Sequence, residues 1–153
     1  MSKNVKNLKK ELFTACLEFV NQQEETVSRI IRSNQNGLAT ETKSSAGDKH
    51  ETGRAMLQLE IEKASQQLAG INEMKFVLSK INIDDTSKTV KLGSIILTDQ
   101  VNYFLSISAG QINISNKIYY AISSSSPIGK LILGKSTGDV FVFRKPIIIQ
   151  EVF

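Results

Sequence analysis

The stretch NIDDTSKTVKLGS, residues 82–94, is where the chain changes rhythm. It gathers Asn82, Asp84, Asp85, Ser87 and Gly93, residues that favour turns by bonding the local backbone or by accepting positive φ. Before it, apolar residues recur every three or four positions. After it, short runs rich in β-branched and aromatic residues are separated by turn formers. The switch divides the chain into parts 1–82 and 83–153 and predicts an α+β fold.

Upstream, residues 3 to about 34 contain neither Pro nor Gly. Their apolar positions are Val5, Leu8, Leu12, Cys16, Phe19, Val20, Val27, Ile30 and Ile31. From about 51 to 81 the stripe continues with Leu57, Ile61, Ala64, Leu68, Ile71, Met74, Leu78 and Ile81. Both stripes have helical period, and charged or amide side chains fill the remaining faces, as in QQEE and EIEKASQQ. A narrow apolar stripe needs a partner helix, and the nearest is the other one. The expected first part is an antiparallel α-helical coiled-coil hairpin.

Downstream, the β-rich runs are VKLGSIIL (90–97), VNYFLSIS (101–108), KIYYAI (117–122), DVFVF (139–143) and PIIIQEV (146–152). TDQ, SAGQINISN and SSSSPIGK read as separators. In the last of these, Pro127 follows a serine run, the arrangement that starts a short helix. The expectation is a small, mostly antiparallel sheet of about five strands with one short helix. Roughly 70 residues are enough to bury one small core.

The 153 residues, 41% hydrophobic and 22% charged, fit a folded chain. No run reaches the ~18 apolar residues of a membrane-spanning helix. The opening MSKNVKNLKKEL lacks the apolar segment of a secretory signal, so a cytoplasmic protein is expected; it is also expected to be a monomer. The single cysteine, Cys16, excludes an intramolecular disulfide and a cysteine-based zinc site. It lies on the apolar stripe and reads as a small core residue. The net charge of +4 is uneven: residues 1–85 hold 12 Lys/Arg and 12 Asp/Glu, residues 86–153 hold 7 and 3. The basic excess therefore sits in the second part, where it favours an acidic partner surface.

Between the helical stripes lies KSSAGDKHETGRAMLQLE, residues 43–60. Asp48 and Glu51 stand three apart at the start of the second helical pattern, which places them on one face. The same spacing is a variant of the capping box, with Asp48 accepting from early N–H groups and Glu51 reaching back. The pair is thus either a cap, a working tip, or both. His50 reads as an exposed turn residue, and Arg54 either contacts RNA phosphate or a partner's wall, or merely solvates the helix. Residues 129–136, GKLILGKS, satisfy the phosphate-loop pattern. That chemistry needs a strand before the loop and a helix after the lysine. Here aliphatic residues fill the loop, and STGD and a β-rich run follow Lys135, so it reads as structural. Tyr103, Phe104, Tyr119 and Tyr120 read as sheet core plus its outer face rather than as a base-stacking platform.

Three segments together resemble the bacterial Gre transcript-cleavage factors. SPIGKLILGKSTGDVF (126–141) is similar to the family's Ser-Pro-Ile/Leu, short aliphatic helix and Gly-Lys-x-x-Gly-Asp-Val, carried by Ser126, Pro127, Ile128, Gly134, Lys135, Gly138, Asp139 and Val140. VKLGS (90–94) is similar to the strand that opens the family's C-terminal domain, and GDKHET (47–52) to its hairpin tip. The motifs cover about 25 residues, while the architecture covers most of the chain. Lys49 and His50 stand where the family has Leu-Ser, and Thr52, Gly53, Arg54 and Ala55 where it has Asn-Ala-Glu-Tyr.

The resemblance implies a coiled-coil hairpin with an FKBP-like C-terminal domain. It also implies RNA polymerase as the partner, nascent RNA being touched only indirectly. In the family the hairpin enters the secondary channel, and a helix of about 30 residues spans roughly 45 Å. Asp48 and Glu51 would fall on the two catalytic, metal-binding tip acids. They would complete the shell of the second Mg²⁺, an ion held jointly with the polymerase and not stably bound by the factor. The factor is then not itself an enzyme. Two other readings stay open: a secondary-channel regulator that does not cut, and a coiled-coil adaptor with a peptide-binding FKBP-like module.

Overall fold

A computed structural model describes the backbone of residues 2–43 and 47–153, and the side chains of residues 4–40 and 51–153. The fold is α+β: two long helices, then a six-stranded sheet with one short helix. The elements are α1 (Ser2–Lys43), α2 (Gly47–Ser79), β1 (Ile95–Thr98), β2 (Asn102–Ser106), β3 (Gly110–Ile114), β4 (Lys117–Ser123), α3 (Pro127–Ile132), β5 (Val140–Phe143) and β6 (Lys145–Val152). By its contacts the chain forms two compact units, one of residues 1–19 with 75–153, the other of residues 20–74. Among the described residues, no helix is long and apolar enough to cross a membrane.

In the unit of residues 20–74 the two helices pair through heptads. Val20, Val27 and Asn34 are buried seven apart on α1, and Ala64 and Ile71 are buried seven apart on α2. Leu57 extends the Ala64–Ile71 series, Ile61 and Leu68 fill the alternate steps, and all three are half-buried, the 3.5-residue repeat of a coiled coil. Both helices run beyond the expected ends, α1 to Lys43 and α2 from Gly47. The polar SNQNGLATETK stretch is helical because the seam continues through half-buried Leu38. Gly37 sits where an added Cβ would lie 3.1 Å from the Leu57 side chain, so the helix backbones approach closely there.

In the unit of residues 1–19 and 75–153 the sheet order is β3-β4-β2-β1-β6-β5. Four pairings are antiparallel, and β2 with β4 is parallel. The sheet is therefore mixed but mostly antiparallel, as expected, with six strands rather than about five. The reason is β3, which occupies a stretch read as a separator. An extra strand at the edge reverses the chain once more, so β4 returns between β3 and β2 running in the direction of β2. Ser115 (φ 52) and Asn116 (φ 66) make the two-residue connection to β4. Two consecutive positive φ values are what a type I′ hairpin turn requires.

Both faces of the sheet are apolar. Ile96, Tyr103, Leu105, Ile147, Ile149 and Val152 form one core with Ile132 of α3 and Phe141 of β5. On the opposite face Ile95 and Phe104 pair across β1 and β2 and are fully buried. Leu12, Cys16 and Leu78 from the helix ends of this unit are buried as well. The Cys16 Sγ lies 3.5 Å from Ser106 Oγ. Residues 90–94, expected to open a strand, lie outside it. Val90 instead exchanges bonds with the α3–β5 connection, its N–H to Lys135 O at 2.7 Å and its C=O from Gly134 N at 2.9 Å.

Candidate functional site

The first turns of α2 carry the acids singled out in the sequence. Glu51 is exposed on this helix, as are Thr52 and Arg54. The side chain of Asp48, the other expected catalytic and metal-binding acid, lies outside the described residues, as does that of His50. The proposed capping role of Asp48 falls outside them for the same reason. Among the described residues, no group of three or more His, Cys, Asp or Glu side chains converges to hold a metal ion. The described donor set at this helix start is one free-standing carboxylate, Glu51.

The 126–141 segment has a local physical explanation at nearly every marked position. Ser126 has extended backbone (φ −68, ψ 157) and caps α3, its Oγ accepting from Gly129 N at 3.0 Å and donating to Ser123 O at 2.7 Å. Pro127 takes the first helical position, where its missing N–H has no intrahelical partner to lose. At Gly129 an added Cβ would lie 2.0 Å from Ser123 O, so only glycine fits. Gly134 (φ 84) and Gly138 (φ 91) take left-handed conformations. Asp139 closes the last turn, its Oδ2 accepting from Ser136 N at 2.8 Å and its C=O from Ile149 N at 2.9 Å. The phosphate-loop pattern is thus used for a helix, a turn and a strand start, with α3 ending before Lys135 rather than beginning after it.

A second charged group, absent from the sequence reading, lies in the unit of residues 1–19 and 75–153. Lys9 is only 2% exposed, and its ammonium donates to the Asp85 C=O. Lys91 pairs with the Asp85 carboxylate. Burial holds the Lys9 pKa below its usual value, with the Asp85 carboxylate opposing that shift. The hydrogen bond from Lys91 holds Asp85 below the ordinary carboxylate range. The only sequence signal was the position of Lys9 beside Leu8 and Leu12 on the apolar stripe. Burial raises the Cys16 thiol, so at neutral pH it is a protonated core side chain and not a nucleophile. The tyrosines are core too: Tyr103 is 6% and Tyr119 4% exposed, and burial raises both phenols.

No family model matches the chain. No curated protein matches it either. Among solved structures it is similar to the GreA factor homolog 1 (Gfh1) protein of Thermus thermophilus, at 20% identity and a TM-score of 0.35, covering 89% of this chain and 93% of that one. At that identity and TM-score the likeness decides nothing about fold or function.

Proposed function

We propose that this chain is a Gre-like factor that binds RNA polymerase through its secondary channel and stimulates cleavage of backtracked RNA. One observation carries the reading. A single chain joins a heptad-paired helical hairpin to a sheet domain whose 126–141 segment resembles that of the Gre family in sequence. Glu51, exposed on the first turns of α2, supports a role for this end of the hairpin.

In this reading the polymerase shares a Mg²⁺ with this chain. Asp48 and Glu51 would be the residues that hold it, and its chemistry when bound would be activation of water toward the phosphodiester. The two side chains contribute negative charge and oxygen ligands, and the paired helices keep the pair at the end of a stiff support. Arg54, three residues after Glu51 and exposed, is open in this reading to RNA phosphate or to the channel wall.

The test is cleavage by a stalled, backtracked elongation complex assembled with the cognate polymerase. Wild type is compared with the Asp48→Ala/Glu51→Ala double variant, both shown to be folded and to bind polymerase. Mg²⁺-dependent cleavage that is lost only in the variant is the expected result. Binding without cleavage by either protein makes the chain a non-cutting channel regulator. Failure to bind polymerase refutes the Gre-like reading.

A further inference from the structure

The sheet face that packs on the helix ends does not stop where those helices stop. Phe104 and Ile95 are fully buried on it, and Ser106, two residues along β2 on the same face, lies 3.5 Å from Cys16 Sγ of α1. Toward the β5 edge the same face continues through Ile148, Val140 and Val142, which are 45%, 51% and 64% exposed. Val140 pairs with Ile148 and Val142 with Pro146 across β5 and β6, so the uncovered residues form one cross-strand patch.

The backbone beside that patch is open as well. Pro146 has no N–H, and the Ile148 N–H is turned away from β5 to the Asp99 carboxylate at 2.9 Å. Val140–Ile148 and Val142–Pro146 are therefore the non-hydrogen-bonded pairs of the ladder. It follows that Val140 and Val142 direct their N–H and C=O groups away from β6, and β5 is the last strand of the sheet. Such an edge is a template for another strand. At its far end the guanidinium of Arg144 sits 6.0 Å from the Phe143 ring centre, next to exposed Lys145. Of the two acids on this stretch, Asp139 already accepts from Ser136 N, and Glu151 lies near the opposite end of β6, paired with Leu97 of β1.

We propose that the β5 edge binds an extended segment of a partner protein by strand addition, apolar at alternate positions and acidic where it passes Arg144 and Lys145. The added strand bonds Val140 and Val142 through its backbone. It lays its apolar side chains beside Val140, Val142 and Ile148 and so covers the exposed part of the face. A nucleic acid lacks the N–H and C=O row that this edge matches, and no aromatic ring on the patch offers a stacking surface beyond Phe143. The inference does not depend on the polymerase reading.

The test uses the full chain, labelled with ¹⁵N, and a capped peptide of alternating Val and Glu, about eight residues long. Expected are saturable amide shifts confined to residues 139–149 and slowed hydrogen exchange at Val140 and Val142. Val142→Lys, at an exposed position that leaves the fold intact, weakens binding at least about tenfold. Replacing Glu by Lys in the peptide weakens it about as much. The proposal is overturned by an absence of shifts at millimolar peptide, by shifts elsewhere, or by equal binding of the Lys peptide. It is also overturned if oligouridylate shifts the same amides, or if they respond to protein concentration alone, which would assign the edge to a second copy of the chain.

Discussion

Gly129 shows how closely one residue can be specified. Its missing side chain leaves room for the Ser123 carbonyl, which would lie 2.0 Å from an added Cβ. Relief would require moving backbone, since that oxygen also accepts from Ser126 Oγ and Ser126 N. Gly129→Ala is therefore expected at or beyond the upper end of overpacking penalties, about 3 kcal/mol. Ser126→Ala removes a cap and is expected to lose only about 1 kcal/mol. Urea denaturation of both variants checks the order, and a harmless Gly129→Ala would contradict the close approach. Asp85 makes a pH-dependent contribution instead. Its folded pKa lies below the reference 3.8, first because of the Lys91 hydrogen bond. The unfolded chain thus takes up the proton first, and the stabilisation, fully present above 3.8, is lost as pH falls through the folded value. The stability difference between wild type and Asp85→Asn should accordingly be larger at pH 6 than at pH 3. A difference independent of pH would show that the ion pair does not operate in solution.

At the scale of elements, Asn34 is the exception in the α1 seam. It is 9% exposed, and its Nδ2 finds no hydrogen-bond partner among the described residues. A buried amide left unpaired costs about 1–3 kcal/mol, and in paired helices such a residue fixes register at the expense of stability. Asn34→Leu is expected to raise the unfolding midpoint in urea. It should also admit shifted pairings, seen as doubled amide signals in residues 51–68. A lower midpoint would mean that Asn34 is satisfied in solution. The seam itself was legible in the sequence, because a 3.5-residue repeat survives without knowledge of the partner. The end of α1 was not: SNQNGLATETK has the composition of a loop, and only the half-buried Leu38 and the approach of Gly37 to Leu57 show why it stays helical. In β3 the alternation Gln111-Ile112-Asn113-Ile114 was present. It was hidden by Gly110 and by a Ser115-Asn116 turn lacking the usual glycine. Asp48 and Glu51 were legible as a pair of acids, but carboxylate spacing alone does not separate a cap from a ligand set. The burial of Lys9 depends on the chain returning 76 residues later to bring the Asp85 carbonyl over it.

For the whole molecule, the two compact units differ in how much apolar surface they bury. In the unit of residues 20–74 the buried apolar side chains among the described residues are Val20, Val27, Ala64 and Ile71. The other unit buries Ile95, Ile96, Phe104, Leu105, Ile107 and Ile149 at 2% exposure or less. Regions with few buried apolar contacts open at lower free energy than the core. Native-state hydrogen exchange should therefore show amides 24–38 and 51–63 at least about tenfold less protected than those of β1 and β2. Equal protection would make the chain one cooperative unit. The same measurement with cognate RNA polymerase addresses function at this scale. If the hairpin enters the channel, contact with the walls adds to its stability and protection rises in residues 24–38 and 51–74. A rise confined to residues 90–153 would mean that polymerase holds only the sheet domain, leaving Glu51 and Asp48 away from the catalytic centre. Because the polymerase is present in both cases, the location of the protected amides separates a working hairpin from a tethered one, whether or not any RNA is cut.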